Sequence, residues 1–172
     1  LSINMGFEAW FSDRVQRVIG ASLSAADSYQ QDQRRALAED ADALAEALES
    51  YRRARGVVDL QNFRVFLGDE QVKIQRGLRE AFVINGMGDL ILRGNRSYLF
   101  DYEPPFAQDF TAALTEILLI EDLPNNELRA LIYLSGFADY YLLVSRDIDG
   151  NLYGLLDETR ETAKLYQQLE SE

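Results

Sequence analysis

Three residues in the last third of the chain have the chemical types that a small-ligand site uses. Arg129 and Tyr133 lie on the same side of one predicted strand, and Tyr141 lies in the strand that follows it. An arginine binds a carboxylate or a similar anion through parallel N–H donors, and tyrosine hydroxyls orient such a ligand. The pattern therefore predicts a ligand-binding group of Arg129, Tyr133 and Tyr141. The alternative is a partly exposed strand face that is covered by the loop around Tyr98.

The other side chains that could do chemistry are absent or unsuitable. The chain contains no cysteine and no histidine, which excludes disulfides, the usual serine and cysteine triads and the commonest transition-metal ligand. Adjacent acids such as Glu121 and Asp122 belong mostly to the solvated surface in a chain with 29 acidic residues. Residues 147–151 resemble the start of a calcium loop, but the glycine stands at the fourth position instead of the sixth. We therefore expect no catalytic residue, metal site or cofactor in this chain.

Charge and length restrict the class of protein. The 172 residues include 17 basic and 29 acidic side chains, which give a net charge of −12. Such a chain is repelled by phosphate backbones, so we expect no nucleic-acid partner. A hydrophobic content of 47% is that of a folded protein. No apolar run reaches the roughly 18 residues of a membrane span. Because the first residue is Leu1, we expect the chain to be part of a longer protein.

The elements that must position these residues begin with one long helix over residues 7–53. This stretch contains no proline, and apolar residues such as Leu37, Leu44 and Leu48 return to one face at helical spacing. At about 1.5 Å per residue the helix extends roughly 70 Å, which exceeds the diameter of a domain of this size. Residues 1–56 are therefore predicted to form a stalk that pairs with a second copy.

Polar residues interrupt the apolar stripe of this helix at Ser22, Gln33 and Asp40. They argue against a strict coiled coil, which needs sustained apolar heptads. The alternative to one helix is two helices with a bend at the polar residues 30–33.

The remainder of the chain predicts an α+β domain around a five-stranded antiparallel sheet. A hairpin is expected first, followed by three consecutive strands; the five strands are predicted at residues 80–84, 89–93, 115–120, 127–135 and 139–147. Side chains alternate along the last two strands, so Leu142 and Leu143 are expected on opposite faces, one apolar and the other amphipathic.

Helices flank the predicted sheet. Asp59 is expected to cap a short helix, with a break at Gly68–Asp69 before a second short piece that ends near Gly77. Another short helix is expected at residues 106–113. The chain then divides into the stalk, a domain over residues 57–148, and an amphipathic helix over residues 149–172 that Asp149 caps.

The order of elements and several local strings resemble the extracytoplasmic sensor region of NtrY-type histidine kinases. Trp10-Phe11-Ser12-Asp13-Arg14-Val15 opens the long helix, and Glu80-Ala81-Phe82-Val83-Ile84 precedes a glycine turn. Further matches are Arg129-Ala130-Leu131, Tyr141-Leu142-Leu143-Val144-Ser145-Arg146, Asp149, Glu158-Thr159-Arg160-Glu161-Thr162-Ala163, Tyr166 and Gln168-Leu169-Glu170. The resemblance covers nearly the whole chain.

This resemblance implies a PAS-like fold of the single Cache type, a helical homodimer and two flanking membrane spans. It also implies an inner-membrane protein with this segment in the periplasm, and cytoplasmic HAMP, PAS and kinase modules that use ATP and magnesium. The parent kinase would phosphorylate a response regulator in nitrogen regulation, in answer to an unknown small-molecule or protein signal. The alternatives are the ligand domain of a chemoreceptor or cyclase, and a soluble helical interaction module.

Overall fold

The N-terminal helix is continuous. A computed structural model of the protein describes residues 2–74, 78–94 and 101–171, and α1 (Ser2–Arg55) has no interruption at residues 30–33. Arginines in its last turn complement the carbonyl end of the helix, and Gly56, at φ +73°, follows in the left-handed conformation that glycine adopts readily. The predicted long helix is confirmed, and the alternative of two helices with a bend is wrong.

The domain covers only the C-terminal part of the α1 stripe. Leu37, Leu44 and Leu48 are buried in the main hydrophobic core. Nearer the start of the helix, Trp10 is 52% exposed and Val18 is 61% exposed. A single chain therefore leaves much of the first part of the stripe in contact with solvent.

Two of the three polar residues within the stripe, Gln33 and Asp40, have a partner on the sheet. The Oε1 atom of Gln33 accepts a hydrogen bond of 2.8 Å from Nε of Arg146, and Oδ2 of Asp40 lies 3.8 Å from Nη1 of the same arginine. These interruptions are positions where α1 receives an arginine from the sheet, and they leave the helix continuous.

The second helix, α2 (Leu60–Lys73), is one element and not two. Asp59 caps it as predicted, because its carboxylate accepts a hydrogen bond from a backbone N–H of the first turn. The break predicted at Gly68–Asp69 is wrong, since Gly68 is buried and the neighbouring Leu67 anchors the helix in the core. The end predicted near Gly77 lies outside the described residues.

A five-stranded antiparallel sheet follows, as predicted. Its strands are β1 (Glu80–Asn85), β2 (Leu90–Arg93), β3 (Leu118–Asp122), β4 (Glu127–Leu134) and β5 (Tyr140–Asp147). Their order across the sheet is β2-β1-β5-β4-β3, so β5 is central and β2 and β3 are the edges. The third strand begins later than predicted, because α3 (Ala107–Ala113) is followed by a turn at residues 114–116.

The two faces of the sheet contribute to different cores. One face packs with α1 and α2 and includes Ala130, Leu134, Leu142 and Val144. The opposite face packs with Phe110 of α3 and includes Phe82, Leu131, Tyr141 and Leu143. The alternation predicted for β4 and β5 is therefore confirmed.

The central strand leads directly into the last helix. After β5, Ile148 is buried, and α4 (Gly150–Ser171) then packs along α1. Asp149 caps α4 as predicted, by accepting a hydrogen bond of 3.1 Å from the backbone N–H of Leu152. Only Ile148 and Asp149 therefore separate the end of β5 from the start of α4.

Candidate functional site

A polar cleft lies at one end of the sheet, on the face away from α1. In the strand register, Glu80 of β1 and Arg129 of β4 both stand opposite Ser145 of β5, so the three form one row. The next row pairs Asp147 of β5 with Glu127 of β4. Since residues two apart share a face, both rows continue the apolar face that packs with α3 and make its end polar.

The segment before α3 forms the opposite wall of this cleft. Asp101 and Glu103 line a cavity of about 400 Å³ together with Glu80, Glu127 and Arg129. The lining contains more acidic than basic side chains, which makes the cleft electronegative. This cavity and the two rows beneath it together form the polar cleft.

Arg79 links the carboxylates of the cleft. Its Nη1 atom donates a hydrogen bond of 3.0 Å to Asp147 and lies 4.0 Å from Oε2 of Glu127, and its Nε atom lies 3.7 Å from Oε1 of Glu80. Its backbone N–H donates to the Ser145 carbonyl at 2.8 Å. One guanidinium thus lies within 4.0 Å of three carboxylates on three strands.

Burial raises the pKa of two of these carboxyl groups, so both are weaker acids than an exposed glutamate. Glu80 is only 6% exposed, and burial raises its pKa from 4.5 to about 7, with a further rise from the charge of Glu127 and opposition from Arg79 and Arg129. The pKa of Glu127 is also raised, chiefly by burial and against the attraction of Arg129 and Arg79. Glu80 is therefore partly protonated at neutral pH.

Arg129 fastens the opposite wall to the sheet. Its Nη2 atom donates a hydrogen bond to the backbone carbonyl of Glu103. The Tyr102 hydroxyl holds the same segment at a second point, by donating to the Gly88 carbonyl at 2.7 Å. Tyr98, the cover considered as the alternative to a ligand site, lies outside the described residues.

The three residues predicted to bind a ligand lie in two places. Tyr133 and Tyr141 are cross-strand neighbours whose ring centroids are 5.1 Å apart, and Phe110 packs edge-on against Tyr141 at 5.0 Å. Arg129 lies on the same face but at the polar end, with the buried Leu131 between it and Tyr133. Arg129 therefore belongs to the polar cleft, and the two tyrosines belong to the core beneath α3.

A second polar cluster joins the two terminal helices. Tyr153 of α4 is fully buried, and its hydroxyl donates to Oε1 of Glu121 at 3.0 Å while accepting from Nη1 of Arg34 at 3.1 Å. Arg34 and Glu121 also form an ion pair at 3.2 Å. The Tyr29 hydroxyl accepts a hydrogen bond of 2.8 Å from the backbone N–H of Asp149. These contacts, termed the helix junction, connect α1, β3 and α4.

The family of the chain follows from its similarity to known proteins. The profile of the family described as the NtrY N-terminal region matches residues 2–172. The chain belongs to this family.

Named relatives agree with that assignment. The chain is 28% identical over 180 residues to the NtrY-like sensor histidine kinase of Rickettsia bellii, and 28% identical over 182 residues to the nitrogen regulation protein NtrY of Azorhizobium caulinodans. Both alignments cover 99% of this chain, but only 28% and 22% of the two relatives. The chain thus spans about a quarter of the length of these proteins. None of the solved structures matches it significantly.

Two properties of the described residues concern metals and membranes. Among the described residues, no group of three or more acidic side chains is arranged to hold a metal ion. No helix in the same part of the chain is both long enough and apolar enough to span a bilayer.

The sequence alone identifies Arg129 as a site residue. It does not identify most of the other residues that form the polar cleft and the helix junction. A usable signal exists for Glu80, because the two-residue period of β1 places it on the same face as the buried Phe82 and Ile84. An acid on such a face, preceded by Arg79, indicates a buried charge cluster. The helix junction has no comparable signal, since its residues come from three elements far apart in sequence.

Proposed function

We propose that this chain is the extracytoplasmic sensor domain of a membrane-bound, two-component sensor histidine kinase that acts in nitrogen regulation. The observation that carries the proposal is the family match over residues 2–172, together with relatives that are named as sensor histidine kinases and as a nitrogen regulation protein. The parent protein would lie in the inner membrane, with two spans outside this chain and this segment in the periplasm.

The fold we propose is PAS-like and of the single Cache type. A five-stranded antiparallel sheet with a central last strand, a long N-terminal helix and a helix on the opposite face supports this assignment. In this proposal residues 1–56 are the stalk, residues 57–148 the sensor domain, and residues 149–172 the helix that leads to a membrane span.

We propose a homodimer that forms through the stalk. The exposed apolar side chains of α1, such as Val18 at 61%, support it, because solvent exposure of an apolar helical stripe is unfavourable in a single chain. Residues 1–172 contain no cysteine, so Val18→Cys introduces the only thiol of this segment, and any cysteine elsewhere in the parent is replaced first. In the membrane-embedded parent we expect oxidative cross-linking at this position. Val72→Cys on α2, which is 62% exposed, is the matched control. Equal cross-linking of the two variants would refute a stalk dimer.

The signal is proposed to act on the face of the sheet that holds Arg129, Tyr133 and Tyr141. The electronegative cleft at Arg129 and the tyrosine pair beneath α3 support a response of this face as a unit, because β4 carries both Arg129 and Tyr133. Arg129→Ala removes the bond to the Glu103 carbonyl and leaves the Tyr133–Tyr141 contact in place. We expect altered kinase output in the parent protein, and unchanged output would exclude Arg129 from signal perception.

The kinase activity is tested on the whole parent protein in membrane vesicles supplied with labelled ATP and magnesium. We expect an acid-labile, alkali-stable label on a histidine outside this chain, which has none, and its transfer to a response regulator. Absence of label from inserted and folded protein would overturn the kinase assignment in favour of a chemoreceptor or cyclase. Recovery in the soluble fraction would favour a helical interaction module.

A further inference from the structure

The polar cleft contains a buried acid whose charge is poorly compensated. Glu80 is 6% exposed, and the one ion pair that it forms among the described residues joins its Oε1 atom to Nε of Arg79 at 3.7 Å. That separation is too long for a hydrogen bond. Arg79 is also shared, since it donates a hydrogen bond to Asp147 at 3.0 Å and lies 4.0 Å from Glu127. A buried carboxylate without hydrogen bonds is unfavourable, and protonation relieves it.

The charged groups around Glu80 are mostly acidic. On the sheet they are Arg79, Glu127 and Arg129, Asp147, and Asp122 at the end of β3. On the opposite wall of the cleft, residues 101–104, they are Asp101 and Glu103. Ionisation of Glu80 therefore adds a negative charge to a site where acids already outnumber the two arginines. Burial and the charge of Glu127 raise the pKa of Glu80 to about 7, so this ionisation takes place near neutral pH.

The wall is attached to the sheet at two points. One is in the cleft, where Nη2 of Arg129 donates a hydrogen bond to the carbonyl of Glu103. At the other point the Tyr102 hydroxyl donates to the Gly88 carbonyl at 2.7 Å, in the turn that follows β1. Because Glu80 is the first residue of β1, the tyrosine attachment lies at the opposite end of that strand.

We propose that the polar cleft is a pH switch: a proton on Glu80 keeps the wall closed against the sheet, and loss of that proton to water opens it. Arg129 and Glu80 flank Ser145 in one row, so a charged Glu80 attracts Arg129 away from the Glu103 carbonyl. The same charge repels the carboxylates of the wall. Water that enters the opened cleft then stabilises the anion.

The direction of the switch follows from the linkage between the proton and the wall. Glu80 titrates with a pKa of about 7 in the closed cleft and near 4.5 in water, so a rise in pH through this range favours the open wall. The ratio of open to closed wall should increase by roughly 5- to 50-fold between pH 5 and pH 8. Extracytoplasmic pH is then the signal that the domain perceives, and this part of the inference rests on the function proposed above.

Double electron–electron resonance between two spin labels measures the position of the wall in the 172-residue chain. The chain has no cysteine, so Pro104→Cys on the wall and Val65→Cys on α2, which packs on the other face of the sheet, define the two label sites. We expect one distance at pH 5 and an additional, longer distance at pH 8. Glu80→Gln should give the pH 5 distance at both pH values. Glu39→Gln, which changes an exposed acid of α1, should behave like the parent chain. Identical distances in the parent chain at pH 5 and pH 8 would overturn the proposal.

A second measurement needs no label on the wall. The ¹³C chemical shift of the Glu80 carboxyl, followed by NMR against pH, gives the midpoint of its titration. Because coupling between two sites is reciprocal, Tyr102→Phe, which removes the distant attachment of the wall, should lower this midpoint. Tyr140→Phe is the matched control, since Tyr140 packs on the opposite face of the sheet, and it should leave the midpoint unchanged.

Two NMR results would contradict the switch. They are a midpoint near 4.5 in the parent chain, and equal midpoints for the parent chain and Tyr102→Phe. Both experiments use the chain without a kinase, so the switch can fail while the kinase assignment stands, and the kinase assignment can fail while the switch stands.

Discussion

Replacement of Glu80 by glutamine should stabilise the protein at alkaline pH and leave it nearly unchanged at acidic pH. The reason is that the folded chain holds this carboxyl with a pKa of about 7, whereas an exposed glutamate titrates near 4.5. Above pH 7 the folded protein must accommodate a buried anion beside Glu127. Glutamine removes that anion and keeps the shape of the side chain.

The magnitude follows from the displacement of the pKa. A rise of about 2.5 units at about 1.4 kcal/mol per unit gives an upper bound of about 3 kcal/mol. The cleft is open to solvent on one side, and this solvent screens the charges. We therefore expect ionised Glu80 to destabilise the folded chain by roughly 1–3 kcal/mol. The pKa of Glu80 is higher in the folded chain than in the unfolded chain. The parent chain therefore has the full stabilisation from the neutral carboxyl below pH 4.5 and loses it as the pH rises through about 7. The free energy of unfolding of Glu80→Gln should therefore exceed that of the parent chain by roughly 1–3 kcal/mol at pH 8.

Urea unfolding followed by circular dichroism at pH 5, 6, 7 and 8 measures this difference directly. Glu39→Gln is the control, since Glu39 is an exposed acid on α1, and it should change the free energy of unfolding by less than about 0.5 kcal/mol at each pH. A constant destabilisation by Glu80→Gln at every pH would refute the reasoning. It would mean that Glu80 remains ionised and that its attraction to Arg79 exceeds the effect of burial.

Three further substitutions test other parts of the structure by the same unfolding measurement. Tyr153→Phe should destabilise the chain by about 1–2 kcal/mol, because it removes two hydrogen bonds of a fully buried hydroxyl; a loss below about 0.3 kcal/mol would show that the helix junction adds little to stability. Leu44→Ala should cost about 2–5 kcal/mol, since Leu44 is 1% exposed in the core between α1 and the sheet, and a neutral result would contradict that packing. Glu49→Gln should cost about 0.5–1.5 kcal/mol by weakening the bond that its carboxylate accepts from the Gly136 N–H at 3.1 Å; an effect that disappears in high salt would assign it to surface charge instead.

Periodicity was sufficient to predict most of the fold. The helical repeat of Leu37, Leu44 and Leu48 identified α1, and strand alternation assigned Leu142 and Leu143 to opposite faces. Glycine was the misleading signal, because Gly68 lies within an uninterrupted helix. A buried glycine in a helix and a glycine that ends one have the same local sequence, and only tertiary packing distinguishes them.

Charged residues were less predictable than apolar ones, because the partner of a charge is chosen by tertiary structure. Glu49 has Arg53 at helical spacing, yet its carboxylate accepts a hydrogen bond from Gly136 while Arg53 pairs with Glu46. Polar residues of the α1 stripe suggested a bend, whereas Gln33 receives a hydrogen bond from β5. Sequence spacing measures only contacts within one element, so the cleft and the helix junction were outside its reach.

The polar cleft and the helix junction are connected through three consecutive residues at the end of β5. Asp147 accepts a hydrogen bond from Arg79 in the cleft, and the Ile148 N–H donates to the Asn126 carbonyl at 3.0 Å. The Asp149 N–H donates to Tyr29 of α1, and its carboxylate caps α4. Each of the three consecutive residues thus has a hydrogen bond to a different part of the chain. A rearrangement that moves the backbone of Asp147 would therefore displace the capped start of α4 or break its bond to α1. Because packed contacts change between discrete arrangements more readily than they stretch, we expect the angle or register of α4 against α1 to be the output of the domain.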